Sequence, residues 1–147
     1  MVDLTEQDLL TGLLHAGAFA RRVDLALVQG IERAEPFALV VAELPSAADD
    51  GVLIEAARRL RDVTRSRDLV ARSATAELAV CCPGATEAEG RAVARRVAET
   101  LGQPFELAGD IVGLPIGVGV FLREAALEGD TAAFALLAAR AVLDLAR

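Results

Sequence analysis

Residues 68–82 read DLVARSATAELAVCC, which is two short apolar segments on either side of a small turn. The segments at 68–72 and 77–82 are rich in Val, Leu and Ala, and a Pro-Gly pair follows the second one. Short apolar segments bounded by turn residues are typical of paired strands. The stretch therefore predicts a β-hairpin, in which the neighbouring Cys81 and Cys82 point to opposite faces of the second strand.

The segments on both sides of this hairpin alternate between strand and helix patterns, because apolar residues recur either in short runs or at helical spacing. We predict these elements in chain order: a helix over 5–31 that is interrupted or restarted near Gly12 and Gly17, a strand over 37–44, a helix over 52–63, the hairpin, a helix over 86–101, strands over 105–107 and 111–121, and a helix over 131–146. The central β-α-β-β-α-β order predicts an α+β fold, with a split βαβ (ferredoxin-like) sheet and flanking helices. We expect a single domain over residues 1–147.

Three of the helices carry signals for capping at their N-termini. Residues 86–89 read TEAE, which is typical of a capping box. Asp50 and Asp130 each stand just before a helical pattern, where a carboxylate accepts hydrogen bonds from the first free backbone N–H groups. We therefore expect these two residues to cap the helices over 52–63 and 131–146.

The composition restricts the function and the setting of the chain. Its formal net charge of −7 argues against a general nucleic-acid surface or an anionic membrane surface as partner. No apolar run approaches the roughly 18 residues that span a bilayer, and the acidic start does not resemble a secretory signal. With only two cysteines, these features predict a reducing, cytoplasmic setting without a disulfide. The chain has no Lys and no Asn, so every positive side chain is an Arg.

Several stretches, in the same order along the chain, resemble the GGDEF domain of the diguanylate cyclase family. The stretches that carry the resemblance are DLLTGL at 8–13 with Phe19 after it, DLVAR at 68–72, ELAV at 77–80, LPIGV at 114–118 and ARAVL at 139–143. The resemblance covers nearly the whole chain and implies the family's α+β fold. It also implies a reaction in which two GTP molecules, one on each partner of a dimer, are joined into cyclic di-GMP with the help of metal ions held by carboxylates.

The signature of that family is degenerate in this chain. Its five positions read Ala74, Thr75, Ala76, Glu77 and Leu78. Both glycines, which let the backbone approach a nucleotide without a Cβ in the way, are replaced. The carboxylate of the third position is lost as well, and only the fourth position retains one.

The other parts of the nucleotide site are damaged too. Glu43 stands in the place of the strand Asp that holds metal in the family, and the segment between Leu44 and Asp50 is several residues shorter. The missing segment carries the family's guanine-reading Asn, and the phosphate-holding lysines are absent. We therefore predict no catalytic residue, no resident metal and no cofactor, although Glu43 and Glu77 leave a single divalent ion as an alternative.

A second family motif is intact. Arg65-Ser66-Arg67-Asp68 matches the R-x-x-D motif, at which many members bind cyclic di-GMP as an inhibitor. An arginine fork pairs with guanine O6 and N7, and a carboxylate accepts from guanine N–H groups. By resemblance, Arg96 completes the site, with Arg91 and Arg95 as alternatives, and it often comes from a neighbouring protomer. The prediction is a catalytically inactive receptor that forms a homodimer when the ligand binds.

Other interpretations of the same residues stay open. Arg65 and Asp68 can simply pair with each other on the surface, which contributes little to stability. The domain is then a ligand-free module for dimerisation or for an unidentified protein partner. A third alternative is GTP binding without synthesis. His15, which replaces the family's usual Asn, is predicted to have no catalytic role.

Overall fold

A five-stranded sheet with helices on both faces forms the centre of the molecule, in a computed structural model that describes residues 4–145. A short 3-10 turn at Leu4–Glu6 precedes the regular elements. These are β1 (Leu14–His15), α1 (Ala16–Arg33), β2 (Phe37–Glu43), α2 (Asp50–Val63), β3 (Leu69–Ala74), β4 (Glu77–Pro83), α3 (Glu87–Gly102), β5 (Phe105–Leu107), β6 (Asp110–Val112), β7 (Gly117–Arg123) and α4 (Ala132–Leu145).

The sheet has the strand order β1-β3-β4-β2-β7. β1 runs parallel to β3, and every other pair in this sheet is antiparallel. The split βαβ arrangement consists of β2, β3, β4 and β7, with α2 and α3 as connections. The predicted α+β fold is therefore confirmed. β5 and β6 form a separate hairpin beside it.

β2 and β4 lie at the centre of the sheet and are buried on both faces along nearly their whole length. One face packs against α2 and α3, and the other packs against α1 and α4. Cys82 belongs to the first face and Cys81 to the second, and both thiols are free. The predicted opposite orientation of the two cysteines is confirmed. None of the described helices is both long and apolar enough to cross a membrane.

The predicted helix over 5–31 is wrong in its first part, because α1 begins only at Ala16. The carboxylate of Asp8 accepts hydrogen bonds from the backbone and the hydroxyl of Thr11, which closes a turn. Gly12 continues that turn with a φ of +73°, which a helix does not allow. Burial opposes ionisation of Asp8, but the bonds from Thr11 prevail and hold the pKa of its carboxyl below the ordinary value. Turn chemistry thus overrides the helical spacing.

His15 forms the N-cap of α1. Its Nδ1 accepts from the backbone N–H of Ala18 at 3.1 Å, and its Nε2 lies 2.8 Å from the carbonyl oxygen of Thr5, to which it donates. A ring nitrogen here does what an Asn side chain does at the same position of a helix. The role of His15 is structural.

Two predicted caps are wrong, and the capping box is confirmed. At the start of α2, the carboxylate of Asp49, not that of Asp50, accepts a hydrogen bond from the backbone N–H of Val52. Thr131, not Asp130, accepts from Phe134 at the start of α4, since the carboxylate of Asp130 is bound to Arg123. Thr86 and Glu89 bond each other's backbone at the start of α3.

The predicted strand over 111–121 is split in two. β6 ends at Val112 and β7 begins at Gly117. Between them stands Pro115, which has no N–H to donate to a neighbouring strand. The predicted hairpin between the strands at 105–107 and 111 is confirmed as β5 and β6.

A close contact between β7 and α4 determines where the last helix lies. A Cβ at Gly119 would overlap the carbonyl oxygen of Ala139 and would lie 3.1 Å from its carbonyl carbon. Since those atoms belong to a helix backbone, they have no side-chain freedom with which to move away. The bare backbone at Gly119 therefore permits α4 to approach the sheet.

We predict that Gly119→Ala lowers the free energy of unfolding by about 1–3 kcal/mol, as overpacking of a tight interior does. The matched control is Gly102→Ala at the end of α3, where a Cβ meets no atom within 4 Å. That control should leave the stability unchanged or raise it by about 0.4–1 kcal/mol. Urea denaturation of the two variants measures the difference, and equal stabilities would contradict the role of Gly119.

Candidate functional site

The turn between β3 and β4 holds the five signature positions. Ala74 lies opposite Glu77, so Thr75 and Ala76 form the two-residue tip. Arg72 donates from Nε and Nη2 to the carbonyl oxygen of Thr75, at 3.2 and 2.9 Å. The tip is therefore tied by a side chain of its own hairpin.

The tip is also bonded to the end of β2. The backbone N–H of Leu44 donates to the carbonyl oxygen of Ala76 at 2.8 Å. Ser73 lies at a register shift in β3 and is buried. The carbonyl oxygens of Thr75 and Ala76 are thus already hydrogen-bonded within the molecule.

Glu77, the carboxylate that the signature retains, already has a cationic partner. Arg140 on α4 donates from Nη2 to Oε1 at 2.7 Å and from Nε to Oε2 at 2.9 Å. Ser73 Oγ donates to Oε1 at 2.7 Å. The hydrogen bonds to Glu77 raise the pKa of Arg140 above its ordinary value. The side chain of Glu77 is only 8% exposed and that of Arg140 is 39% exposed, so this bidentate pair is buried on its carboxylate side.

A shallow cleft of about 400 Å³ lies where β2 ends and β7 begins. Its described lining consists of Glu43, Leu44, Pro45, Pro115, Ile116 and Gly117. A triphosphate needs arginines, lysines or a metal around it. This lining offers apolar side chains and one carboxylate, so it does not suit a nucleotide phosphate.

Residues 65–68 form a tight turn after α2, which ends at Val63. The backbone N–H of Asp68 donates to the carbonyl oxygen of Arg65 at 3.0 Å, and the backbone N–H of Arg65 donates to Oδ2 of Asp68 at 2.9 Å. The guanidinium of Arg65 lies 3.8 Å from Oδ2 and 3.9 Å from Glu89 on α3. Both ion pairs are long, and the Arg65 side chain is 43% exposed. The turn brings Arg65 and Asp68 together and leaves the guanidinium weakly held.

Asp68 has an unusual environment for a carboxylate. Its side chain is only 2% exposed, and Oδ1 has no hydrogen-bond partner among the described residues. Buried polar atoms in folded proteins are nearly always paired, so an unpaired carboxylate oxygen calls for an explanation. The neighbouring Cys82 offers only a thiol, a weak donor whose hydrogen bond to the Asp68 carboxylate adds to the rise in the pKa of the thiol.

Arg96 lies on α3 and is exposed. Burial raises the pKa of the Cys82 thiol to about 12, and the negative charge of Asp68 adds to the effect, whereas Arg65 and Arg96 oppose it. All three predicted ligand residues therefore lie within electrostatic range of the same thiol. Among the described residues, Arg96 forms no hydrogen bond or ion pair with Arg65 or Asp68. The alternative Arg91 is paired with Glu87 on its own helix.

The family model of the diguanylate cyclase, GGDEF domain, matches residues 5–142. The chain belongs to the GGDEF family. The resemblance in the motifs is thereby confirmed over almost the full length. A search of curated protein sequences gave no match.

Solved structures with the same fold include three from two bacteria. A sensory box/GGDEF family protein from Caulobacter crescentus CB15 is 26% identical, with a TM-score of 0.83 over 96% of this chain and 97% of that one. The GGDEF domain of DgcB from Caulobacter crescentus, in complex with c-di-GMP, is 18% identical, with a TM-score of 0.83 over 99% and 89%. The diguanylate cyclase SiaD from Pseudomonas aeruginosa, in complex with its activator SiaC, is 21% identical, with a TM-score of 0.85 over 97% and 59%.

The metal ions that the family implies do not fit the residues of this chain. Ala76 has no carboxylate, and both oxygens of Glu77 accept hydrogen bonds from Arg140. Across residues 4–145, no group of three or more His, Cys, Asp or Glu side chains is placed to hold a metal.

The interaction between Arg140 and Glu77 was missed at the level of the sequence. The ARAVL stretch at 139–143 resembles the family's A-D-x-A-L, in which the position of Arg140 is acidic. A charge reversal at that position was a detectable signal. Its partner lies 63 residues earlier, however, so the pairing itself follows only from the tertiary structure.

We predict that neither Cys81 nor Cys82 reacts with iodoacetamide in the folded domain at a pH of about 8.5, where an ordinary thiol is half ionised. Both side chains are buried, and burial holds the pKa of each thiol well above its ordinary value. Mass spectrometry should find both labelled after unfolding in guanidinium chloride. Rapid labelling of the native domain would contradict the structure around Cys82.

Proposed function

We propose that this domain is a catalytically inactive member of its family that binds cyclic di-GMP through Arg65 and Asp68. The observation that carries the proposal is the buried Oδ1 of Asp68, which has no partner within the described part of the chain. A guanine base carries N–H donors at its Watson–Crick edge, and these suit an unpaired carboxylate oxygen. The adjacent Arg65 supplies the fork that pairs with O6 and N7 of the same base.

The access of a ligand to this site requires movement of Arg65. Its two ion pairs of 3.8 and 3.9 Å are too long for strong hydrogen bonds, so its guanidinium is released at small energetic expense. Once Arg65 turns towards a base, the carboxylate of Asp68 becomes reachable. Oδ2 keeps its bond to the Arg65 backbone, which holds the carboxylate in place.

Arg96 belongs to the proposal as the residue that meets the ligand's phosphates. It influences the same thiol as Arg65 and Asp68, and it is exposed on α3. Cyclic di-GMP carries two phosphates and two bases, so it can engage two copies of the domain. We therefore expect a homodimer in the liganded state, with Arg96 contributed by either protomer, in the cytoplasmic setting that the sequence predicts.

The lack of catalysis is supported by four independent features. Both signature glycines are replaced, Glu77 is held by Arg140, the cleft at Glu43 has no cationic lining in its described part, and the guanine-reading segment is shortened. Each feature weakens a different contact to GTP. Synthesis requires all of these contacts together.

The second candidate function is a protein-interaction module without a ligand. It is favoured by exposed apolar side chains on α1 and α4, among them Leu25, Val28, Phe134 and Leu137. A contiguous exposed apolar patch often marks an interaction surface. In this case the R-x-x-D turn is a local structural element, and the partner is a protein.

Isothermal titration of the domain with cyclic di-GMP distinguishes the two functions. We expect saturable heat with the unmodified domain and an affinity about 5- to 150-fold weaker for Arg65→Ala, since a lost bidentate arginine–guanine pair weakens binding by roughly 1–3 kcal/mol. Arg58→Ala is the matched control, because Arg58 is an exposed helix residue with ion pairs to Glu55 and Asp62. Absence of heat, or equal affinity for the two variants, would favour the interaction module.

The absence of catalysis is tested by incubation with GTP and Mg²⁺ followed by chromatography. We expect no cyclic di-GMP from the domain. We expect none from a triple variant with Ala74→Gly, Thr75→Gly and Ala76→Glu either, since the base-binding segment and the phosphate lysines are still missing. Product from the unmodified domain would overturn the assignment, and product from the triple variant alone would show that the tip is the decisive loss.

A further inference from the structure

Two carboxylates face each other at the end of the central strands. Glu43 on β2 and Glu77 on β4 are register partners, and both lie on the face that packs against α4. Two like charges directly opposite each other on one face are unfavourable. Since the Glu77 side chain is largely buried, the pair needs a positive group close by.

Arg140 provides that group from α4. The guanidinium spans both oxygens of Glu77, and Ser73 completes the hydrogen bonds of Oε1. A divalent ion such as Mg²⁺ must bind carboxylate oxygens directly at about 2.0–2.1 Å and in a strict geometry. Oε1 already accepts hydrogen bonds from Arg140 and Ser73, and Oε2 accepts one from Arg140, so an ion that bound both oxygens would have to displace the guanidinium.

The position of Arg140 follows from the packing of α4. The backbone of Ala139 rests against the bare Gly119, so the adjacent residue is carried to the hairpin edge. Neither the packing of Ala139 on Gly119 nor the hydrogen bonds from Arg140 to Glu77 include an ion. The placement of the guanidinium is thus built into the same packing that positions the helix.

We infer that Arg140 acts as an internal cation that replaces a divalent ion at the hairpin and keeps one from binding to Glu43 and Glu77. The carboxylates contribute two negative charges and the guanidinium contributes one positive charge. A metal ion at the same place would lie next to a like charge in a poorly solvated site, where such repulsion is strong. The hairpin edge is therefore held without metal.

The test is a Mn²⁺ titration of the whole chain. Electron paramagnetic resonance measures how much of the ion stays free. We expect no saturable site on the unmodified domain at up to millimolar Mn²⁺. We expect Arg140→Gln to gain one weak site, because both oxygens of Glu77, opposite Glu43, then lose their guanidinium partner. Adding Glu77→Gln to that variant should remove the site again. Arg91→Gln, which breaks a surface ion pair with Glu87, is the matched control and should bind no more than the unmodified domain.

Arg140→Met is the second variant, since it keeps an apolar stem of similar length, and circular dichroism reports whether each variant is folded. Refolding of either variant by Mn²⁺ would support the inference as directly as a gained site. Binding to the unmodified domain that Glu77→Gln abolishes would overturn it. So would variants that gain no Mn²⁺ site, because the missing family ligands, rather than Arg140, would then be what excludes the ion.

Discussion

β2 and β4 pair without interruption, from Phe37 opposite Pro83 to Glu43 opposite Glu77. Because side chains alternate along a strand, a slip by one residue would exchange the two faces of β4. The register thus places Glu77 against α4 at one end of the strand. It also places Cys82 against α2 and α3 at the other end, beside Asp68. The two parts of the molecule that bear on function are both fixed by this one pairing.

Arginine's geometry explains how this chain can bury the carboxylate of Glu77. A planar fork covers both oxygens of Glu77, which a lysine point charge does not do as well. At the other end of β4, the guanidinium of Arg65 does not pair with Asp68 in this way. It lies 3.8 Å from Asp68 and 3.9 Å from Glu89. The guanidinium of Arg140 is therefore held firmly on Glu77, whereas that of Arg65 is held only weakly. The difference is one of geometry, not of composition.

The sequence predicted the elements whose signals are local and failed where a distant contact or turn chemistry decides. The central strands, the hairpins and the capping box depend on short patterns, and they were predicted correctly. The start of α1 was missed because the hydrogen bonds of Asp8 and the positive φ of Gly12 replace a helical turn. The predicted cap at Asp130 is wrong because Arg123 binds that carboxylate instead.

The candidate site shows the same division. The proximity of Arg65 and Asp68 follows from a spacing of three residues, and the sequence indicated it. The burial of Asp68 does not follow from spacing, since it depends on α3 and on Cys82 from another strand. The salt bridge between Glu77 and Arg140 joins two residues that are 63 positions apart and that no local pattern connects.

The distance between the two ends of β4 separates the signature positions from the turn that holds Arg65 and Asp68. From Glu77 to Cys82 the strand advances by five residues, which is roughly 17 Å at about 3.3 Å per residue. At that distance two unit charges interact by only about 1 kcal/mol at an effective dielectric constant of about 20. Substitutions at the hairpin tip are therefore expected to change the electrostatics around Arg65 and Asp68 little. The packing is separate as well, because Asp68 lies beside Cys82 on the side of α2 and α3, whereas Glu77 depends on α4. Selection on synthesis and selection on binding can then act on different residues of the same strand.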